Sequence, residues 1–294
     1  MKANKRILYF VAFVTTAFYL TWRLVATIPW HDSWFALIFG ILLWGSEVVS
    51  AITGYILIWN KQKDFELEKP EIAKERYPDV DVLIATHNED PELLYKTINA
   101  CTFMEYPDKS KVHIYVCDDT NRLEVAKLAD ELGVGYFGLA DNAKSGNYNN
   151  ALRQTSSPLV ATFDADMIPY REFLLETVPY FVEQVEAYEN GDDYDKSKVG
   201  LIQTPQSFYN ADIFQFNLFS ESTLPNEQDF FSKEINVCNN SHGAAVYTGS
   251  NTVIFRKAIE DVGGFPTDTI TEDFELGVRM NAAGYVNYST KSPM

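Results

Sequence analysis

From Ile7 to Ile28 the chain reads ILYFVAFVTTAFYLTWRLVATI, an almost unbroken apolar run. It has the length, about 20 residues, that an α-helix needs to cross a bilayer. A second run, Trp34 to Trp59, carries a single charge, Glu47. In lipid every peptide N–H and C=O must be satisfied internally, so runs of this kind are restricted to helices. The expectation is a transmembrane hairpin in residues 1–62, with helices at about 7–28 and 34–59. A cleaved signal peptide is the alternative for the first run, but it is too long for a signal's apolar core and a second run follows at once. Trp30, Trp34 and Trp59 fall where interfacial aromatics belong, and Arg23 lies near enough to its run's end to snorkel to the headgroups. Lys2, Lys5 and Arg6 precede the hairpin, Lys61 and Lys63 follow it, and the connection PWHDS has no Lys or Arg. The positive-inside tendency then puts everything after about residue 60 in the cytoplasm. Two helices offer Glu47 little, which points to a partner in further membrane segments.

Residues 63–78 read as a linker, and from Asp79 the pattern is that of a soluble α/β domain. DVDVLIATHNE is a strand running into a loop, and DPELLYKTINACTFM is a helix with Asp90 as N-cap and Pro91 at its first position. KVHIYVCDD is a second strand, RLEVAKLADELG an amphipathic helix closed by Gly133, GVGYFGL a third strand, NYNNALRQT a helix and PLVATFDAD a fourth strand. Such alternation favours a mostly parallel sheet with helices on both faces, whose ligands bind at the carboxyl ends of the strands. The acidic clusters fall at those ends. The stretch 186–198 reads as a solvated acidic loop. In FDAD, Asp164 and Asp166 stand at i and i+2 and would project to one side, two like charges that need neutralising.

Composition narrows the partners. With 24 basic and 41 acidic residues among 294, the formal charge is −17, which argues against a general nucleic-acid binder. Cys101, Cys117 and Cys238 are far apart and show no CxxC spacing, so reduced, buried thiols are expected and no zinc site. No GxxxxGK[ST] loop occurs.

The succession ATHNE (85–89), CDD (117–119), NAKSGNYNNAL (142–152), FDAD (163–166), QTPQSF (203–208), YTGSN (247–251) and TED (271–273) resembles the processive family 2 glycosyltransferases, which include cellulose, β-glucan and hyaluronan synthases. Each motif alone is weak; seven in the family's order carry the resemblance. It implies a Rossmann-like GT-A fold and transfer of sugar from a nucleotide diphosphate donor, usually UDP-linked, with Mg2+ or Mn2+. By that pattern Asp166 ligates the metal, and Asp164 contacts the nucleotide or shares the metal. Asp118 and Asp119 match the uridine-binding acids, with Asp118 preferred and Thr120 replacing the usual glycine. Lys144, read as lying in a loop before a helix, meets the diphosphate. Thr86, His87, Asn88 and Glu89 match a loop lining the nucleoside pocket, with His87 where the family often has Tyr; His87 is read as neither base nor ligand. Asp273, preceded by VGGFP, matches the general base, with Glu272 beside it at the acceptor. Gly249 and Ser250 would let the glucan end approach, Thr248 standing where Cys is usual. Gln203, Gln206 and Phe208 would line the same entrance.

Each assignment has a plainer alternative. Taken alone, Asp164 and Asp166 read as an N-cap and a loop acid, Asp118 and Asp119 as a turn, Lys144 as a surface charge and Asp273 as an N-cap; the matching context favours the site readings. FQFNLFSES and NEQDFFSKEI have apolar residues at helical spacing and fit membrane-surface or core helices. Three functions compete: a plasma-membrane synthase extending a β-linked polysaccharide from a UDP-sugar, by family habit UDP-glucose; a non-processive transferase acting on a lipid carrier; and a non-catalytic nucleotide-sugar sensor. The family's QxxRW motif is missing after TED, and no apolar span follows residue 60. The chain therefore reads as an amino-terminal fragment expected to bind UDP but not to elongate or export a glucan.

Overall fold

The computed structural model describes residues 2–62, 65, 67–138, 143–192 and 198–292. By internal contacts the chain divides into two units, Met1–Asp64 and Phe65–Met294.

The first unit is a helical hairpin. Helix α1, Lys2–Trp22, continues through a π-turn, Arg23–Thr27, and α2 spans Trp34–Lys61 behind a Ser33 N-cap that accepts from the Ala36 N–H. Both spans are long and apolar enough to cross a membrane. The helices hold each other through polar groups: the Tyr55 hydroxyl donates to the Ala12 carbonyl (3.1 Å) and the Trp44 indole to that of Leu20 (2.9 Å). Glu47, expected to lack a partner, has one inside the hairpin. Arg23 does not snorkel away; its Nε and Nη2 donate to the two Glu47 carboxylate oxygens, each at 3.1 Å, and the Tyr19 hydroxyl adds a long bond. Where water is excluded, pairing and double hydrogen bonding favour this arrangement over two isolated charges.

The second unit holds one seven-stranded sheet in the order β3-β2-β1-β4-β6-β5-β7. Its strands are β1 Val80–Thr86, β2 Val112–Asp118, β3 Gly135–Gly138, β4 Leu159–Asp164, β5 Val199–Gln203, β6 Thr252–Phe255 and β7 Val286–Ser289. The first four are mutually parallel; β6 runs antiparallel to both β4 and β5, and β7 parallel to β5. The β1 and β4 interiors are fully buried, as sheets covered on both faces require. Helices α3, Pro91–Thr102, and α4, Leu123–Glu131, follow the sequence expectation closely, including the Asp90 cap on the Glu92 N–H. Helix α5 does not: it covers Ala143–Leu152, so Lys144 lies in its first turn, not in a preceding loop. Residues expected as a linker pack onto the domain, through Lys69–Glu176 and Arg76–Glu186 ion pairs and the buried Tyr77. Cys101 and Cys117 are buried and Cys238 only half-buried.

Register explains why distant motifs meet. In the parallel ladder Thr86 lies beside Asp118 and Ala85 beside Asp164, so three strands deliver their carboxyl ends together. Because β6 is reversed, its amino end pairs Thr252 with Thr162 of β4 and with Gln203 of β5. That reversal brings the preceding YTGSN loop to the same edge.

Candidate functional site

A cleft of about 480 Å³ opens at this edge, lined by Thr86, His87, Glu89, Asp119, Lys144, Asp164 and Asp166, with Ala85, Leu93 and Ala165 as its apolar floor. Seven of the expected site residues are therefore brought together, and Asp118 is not among them.

Asp118 ends β2 with its side chain fully buried. Its carboxylate accepts from the Arg122 N–H (2.6 Å), the Thr120 N–H and hydroxyl (3.2 and 2.8 Å) and the Tyr136 hydroxyl (2.9 Å), and the Arg122 guanidinium closes on it at 3.3 Å. Burial opposes the charge, yet these donors outweigh it and hold the carboxyl below its ordinary range. Asp118, the preferred nucleoside contact of the sequence reading, lies behind the cleft lining with its carboxylate bonded to its own chain, whereas Asp119 lines the cleft, 2.6 Å from the His87 ring. Thr120, standing where a glycine was expected, places its hydroxyl between Asp118 and the His87 carbonyl, which ties the two loops. Glu89 fixes the same loop by accepting from the Thr86 hydroxyl (2.8 Å) and the His87 N–H (2.6 Å). Desolvation again opposes the charge, and these bonds with nearby Arg122 keep the Glu89 carboxyl lowered. Arg122 also donates to Thr86 Oγ1 and the Glu89 carbonyl, so it buttresses the whole wall. Sequence reasoning missed it; a tight turn after β2, with Asn121 at φ +53°, returns Arg122 to the carboxylate four residues before it.

The opposite wall has few internal partners. Asp164 forms an ion pair with Lys144, while Asp166 has no hydrogen bond or ion pair among the described residues. Burial pushes the Asp164 carboxyl above its usual range; Lys144 opposes the shift, and the charges of Asp166 and Asp273 add to it. Asp273 and Glu272 open the helix Glu272–Ala282, where a helix terminus favours acids. Gly249, in a left-handed conformation at φ +79°, sits between the two sides: a β-carbon there would lie 3.0 Å from both Asp273 Oδ2 and Lys144 Nζ. Glycine is what lets these charges converge.

Two residues expected at the acceptor entrance turn inward. Ser250 is buried, and its hydroxyl accepts from the Asp164 N–H at 2.9 Å. Gln203 is buried too; its amide donates to the Ser250 carbonyl (2.8 Å) and accepts from the Thr248 N–H (2.9 Å) and the Thr252 hydroxyl (2.7 Å). Both set the YTGSN loop instead of lining a cleft. Gln206 accepts from Gln228 at 2.8 Å, and Phe208 is exposed. A second cleft, about 200 Å³, shares Asp166 with the first and is walled by Tyr170, Pro205, Ser207, Tyr209 and Asn251.

The donor set suits a hard divalent cation. Asp164 and Asp166 supply carboxylate oxygens, and no group of three His, Cys, Asp or Glu forms a complete cage among the described residues. Mg2+ is commonly held in this way, by one or two carboxylates with phosphate and water completing the shell.

The glycosyltransferase-like family 2 model matches residues 78–292. The chain is 31% identical over 281 residues to the cellulose synthase catalytic subunit [UDP-forming] of Pseudomonas fluorescens, and 32% identical over 281 to that of Komagataeibacter xylinus. Each match covers 94% of this chain but only 36% of the relative, so the chain spans little more than a third of their length. Among solved structures, the mannosyltransferase PcManGT from Pyrobaculum calidifontis, in complex with GDP-Man and Mn2+, superposes with a TM-score of 0.59 at 17% identity, covering 82% of this chain and 61% of that one. That likeness establishes a GT-A-type fold. The chain belongs to glycosyltransferase family 2 and within it is similar to cellulose synthase catalytic subunits.

Proposed function

We propose that this chain carries the sugar-nucleotide site of a membrane-bound, inverting synthase that transfers a sugar from a UDP-sugar, UDP-glucose by family resemblance, to a growing β-linked polysaccharide. The observation that carries the reading is the convergence of Lys144, Asp164 and Asp273 around Gly249. The two apolar helices cross the plasma membrane with the catalytic unit on the cytoplasmic side, as the Lys and Arg flanks favour.

The His87–Asp119 wall takes the nucleoside, and Lys144 faces the diphosphate from the first turn of α5. Asp273 accepts the proton of the acceptor hydroxyl as that oxygen bonds to the sugar's anomeric carbon. The bond from that carbon to the diphosphate breaks on the opposite face, and UDP leaves with the electron pair. A leaving diphosphate needs charge neutralisation more than a proton. Lys144 supplies part of it, and Mg2+ or Mn2+ held by Asp164 and Asp166 would supply the rest as a Lewis acid. Glu272 and Gly249 face the acceptor side, with Gln206 and Phe208 further out.

Asp273→Asn separates base from binding site. In the full chain reconstituted in nanodiscs, the variant should keep UDP affinity within a few-fold by calorimetry; in a chimera that supplies the remaining length of a cellulose synthase relative, it should lose transfer from UDP-glucose to cello-oligosaccharide. Undiminished transfer by the variant would place the base elsewhere.

A further inference from the structure

Among the described residues of the second unit, exposed large apolar side chains concentrate in the segment 208–224. Tyr209, Ile213, Phe214, Phe216, Leu218 and Phe219 all point outward, Phe219 at 90% exposure. Soluble domains seldom leave so continuous a patch uncovered. The polar side chains of the same segment are used inside it. Asp212 accepts from the Gln215 N–H (2.7 Å), Gln215 returns the bond to the Asp212 N–H (3.2 Å), and its amide donates to the Leu224 carbonyl (2.6 Å). Phe219 adopts φ +51°, an unusual conformation for a bulky residue, which ends the short helix Ile213–Asn217 with its ring in solvent. Polar groups satisfied within and aromatics displayed without is the pattern a low-dielectric neighbour selects.

We propose that this segment lies in the headgroup layer of the bilayer with its aromatic side chains inserted. The inference rests on the membrane-crossing reading of the hairpin. Two spans ending at Lys61, with the first strand starting at Val80, keep the domain tethered close to a lipid surface, where even weak interfacial affinity is effective. No Lys or Arg occurs from Phe208 to Ser232, so attachment is by apolar insertion and does not depend on anionic lipid. Tyr209 belongs both to the patch and to the cleft that shares Asp166, so docking sets the mouth of that cleft at the lipid surface.

The test uses the full chain in phosphatidylcholine nanodiscs, on a Cys238→Ser background in which the two buried cysteines remain. An environment-sensitive dye is placed singly at Phe216→Cys, at Phe219→Cys, at Ile52→Cys in the hairpin and at Glu124→Cys on α4. Brominated lipid should quench the dyes at 216, 219 and 52 and spare 124, while aqueous iodide should quench only 124; 1 M salt, a condition of about 3 Å screening length, should change none of this. Dyes at 216 and 219 open to iodide, with 52 quenched by lipid, would overturn the docking and leave the hairpin reading intact. Dyes at 216 and 219 shielded from both quenchers would overturn it in favour of a protein partner or a second copy. Failure of lipid to quench 52 would overturn both readings.

Discussion

On the β1–β2 side of the cleft, Asp118, Asp119 and Glu89 each meet groups of their own chain, whereas on the β4–β6 side Asp164 shares one lysine and Asp166 meets no donor among the described residues. Both walls are acidic and both end strands of one sheet. The acids of the first wall are already hydrogen-bonded within their own chain before any ligand arrives. The second concentrates Asp164, Asp166 and Asp273 around Lys144, a like-charge cluster that an external cation would relieve. Two acids in this contrast divide the work: substitution of Asp118 should cost mainly stability, and substitution of Asp166 mainly cation-dependent nucleotide binding.

Asp118→Ala should produce the largest loss of stability. It leaves the Arg122 N–H, the Thr120 donors and the Tyr136 hydroxyl without their shared acceptor, and breaking a buried, hydrogen-bonded charge network of this kind costs about 3 kcal/mol. Denaturant unfolding followed by near-UV circular dichroism measures it, and a loss as small as that of a surface substitution would erase the distinction between the walls. Gly249→Ala comes next. A side chain at φ +79° is strained, and its β-carbon meets Asp273 and Lys144, so a destabilisation of about 2 kcal/mol and loss of UDP affinity are expected together. Retained affinity would mean that the convergence at Gly249 is incidental.

A smaller effect separates the walls by pH. Asp118 and Glu89 are lowered in the folded protein, so the unfolded chain binds their protons first on acidification. Their contribution is complete above the ordinary carboxylate range, about pH 4, and fades as pH falls through the folded values. Asp118→Asn should therefore flatten the acid limb of the stability profile. An unaltered limb in that variant would show that the network does not couple to folding.

Much of this was legible before any coordinates. The first four strands announced themselves because a buried parallel sheet needs continuous apolar runs, and Asp90-Pro91 marks a helix start by local chemistry alone; β5, β6 and β7 did not. The cleft residues Thr86, Lys144 and Asp164 could be named because the motifs that resemble family 2 cover them, and the structure sets each at a strand end or helix start. Less local facts stayed hidden. Arg23 and Glu47 lie 24 residues apart and meet only through the hairpin's register. Asp118 and Asp119 are chemically identical, and only the pairing of Thr86 with Asp118 decides which one is buried. Gln203 looked like an entrance residue because nothing in the sequence reveals that β6 runs backwards and lays the YTGSN loop over it.

The most direct test of the divided walls is calorimetric titration of UDP into the full chain with Mn2+ and with EDTA, for wild type and Asp166→Asn. Removing an acid with no internal partner should change unfolding free energy by no more than about 0.5 kcal/mol. The same substitution should abolish the gain in UDP affinity that Mn2+ gives the wild type, a fall of about tenfold or more, equivalent to about 1.4 kcal/mol. A variant that keeps its Mn2+-dependent affinity, or that unfolds like Asp118→Ala, would contradict the assignment of this wall to the cation and its nucleotide.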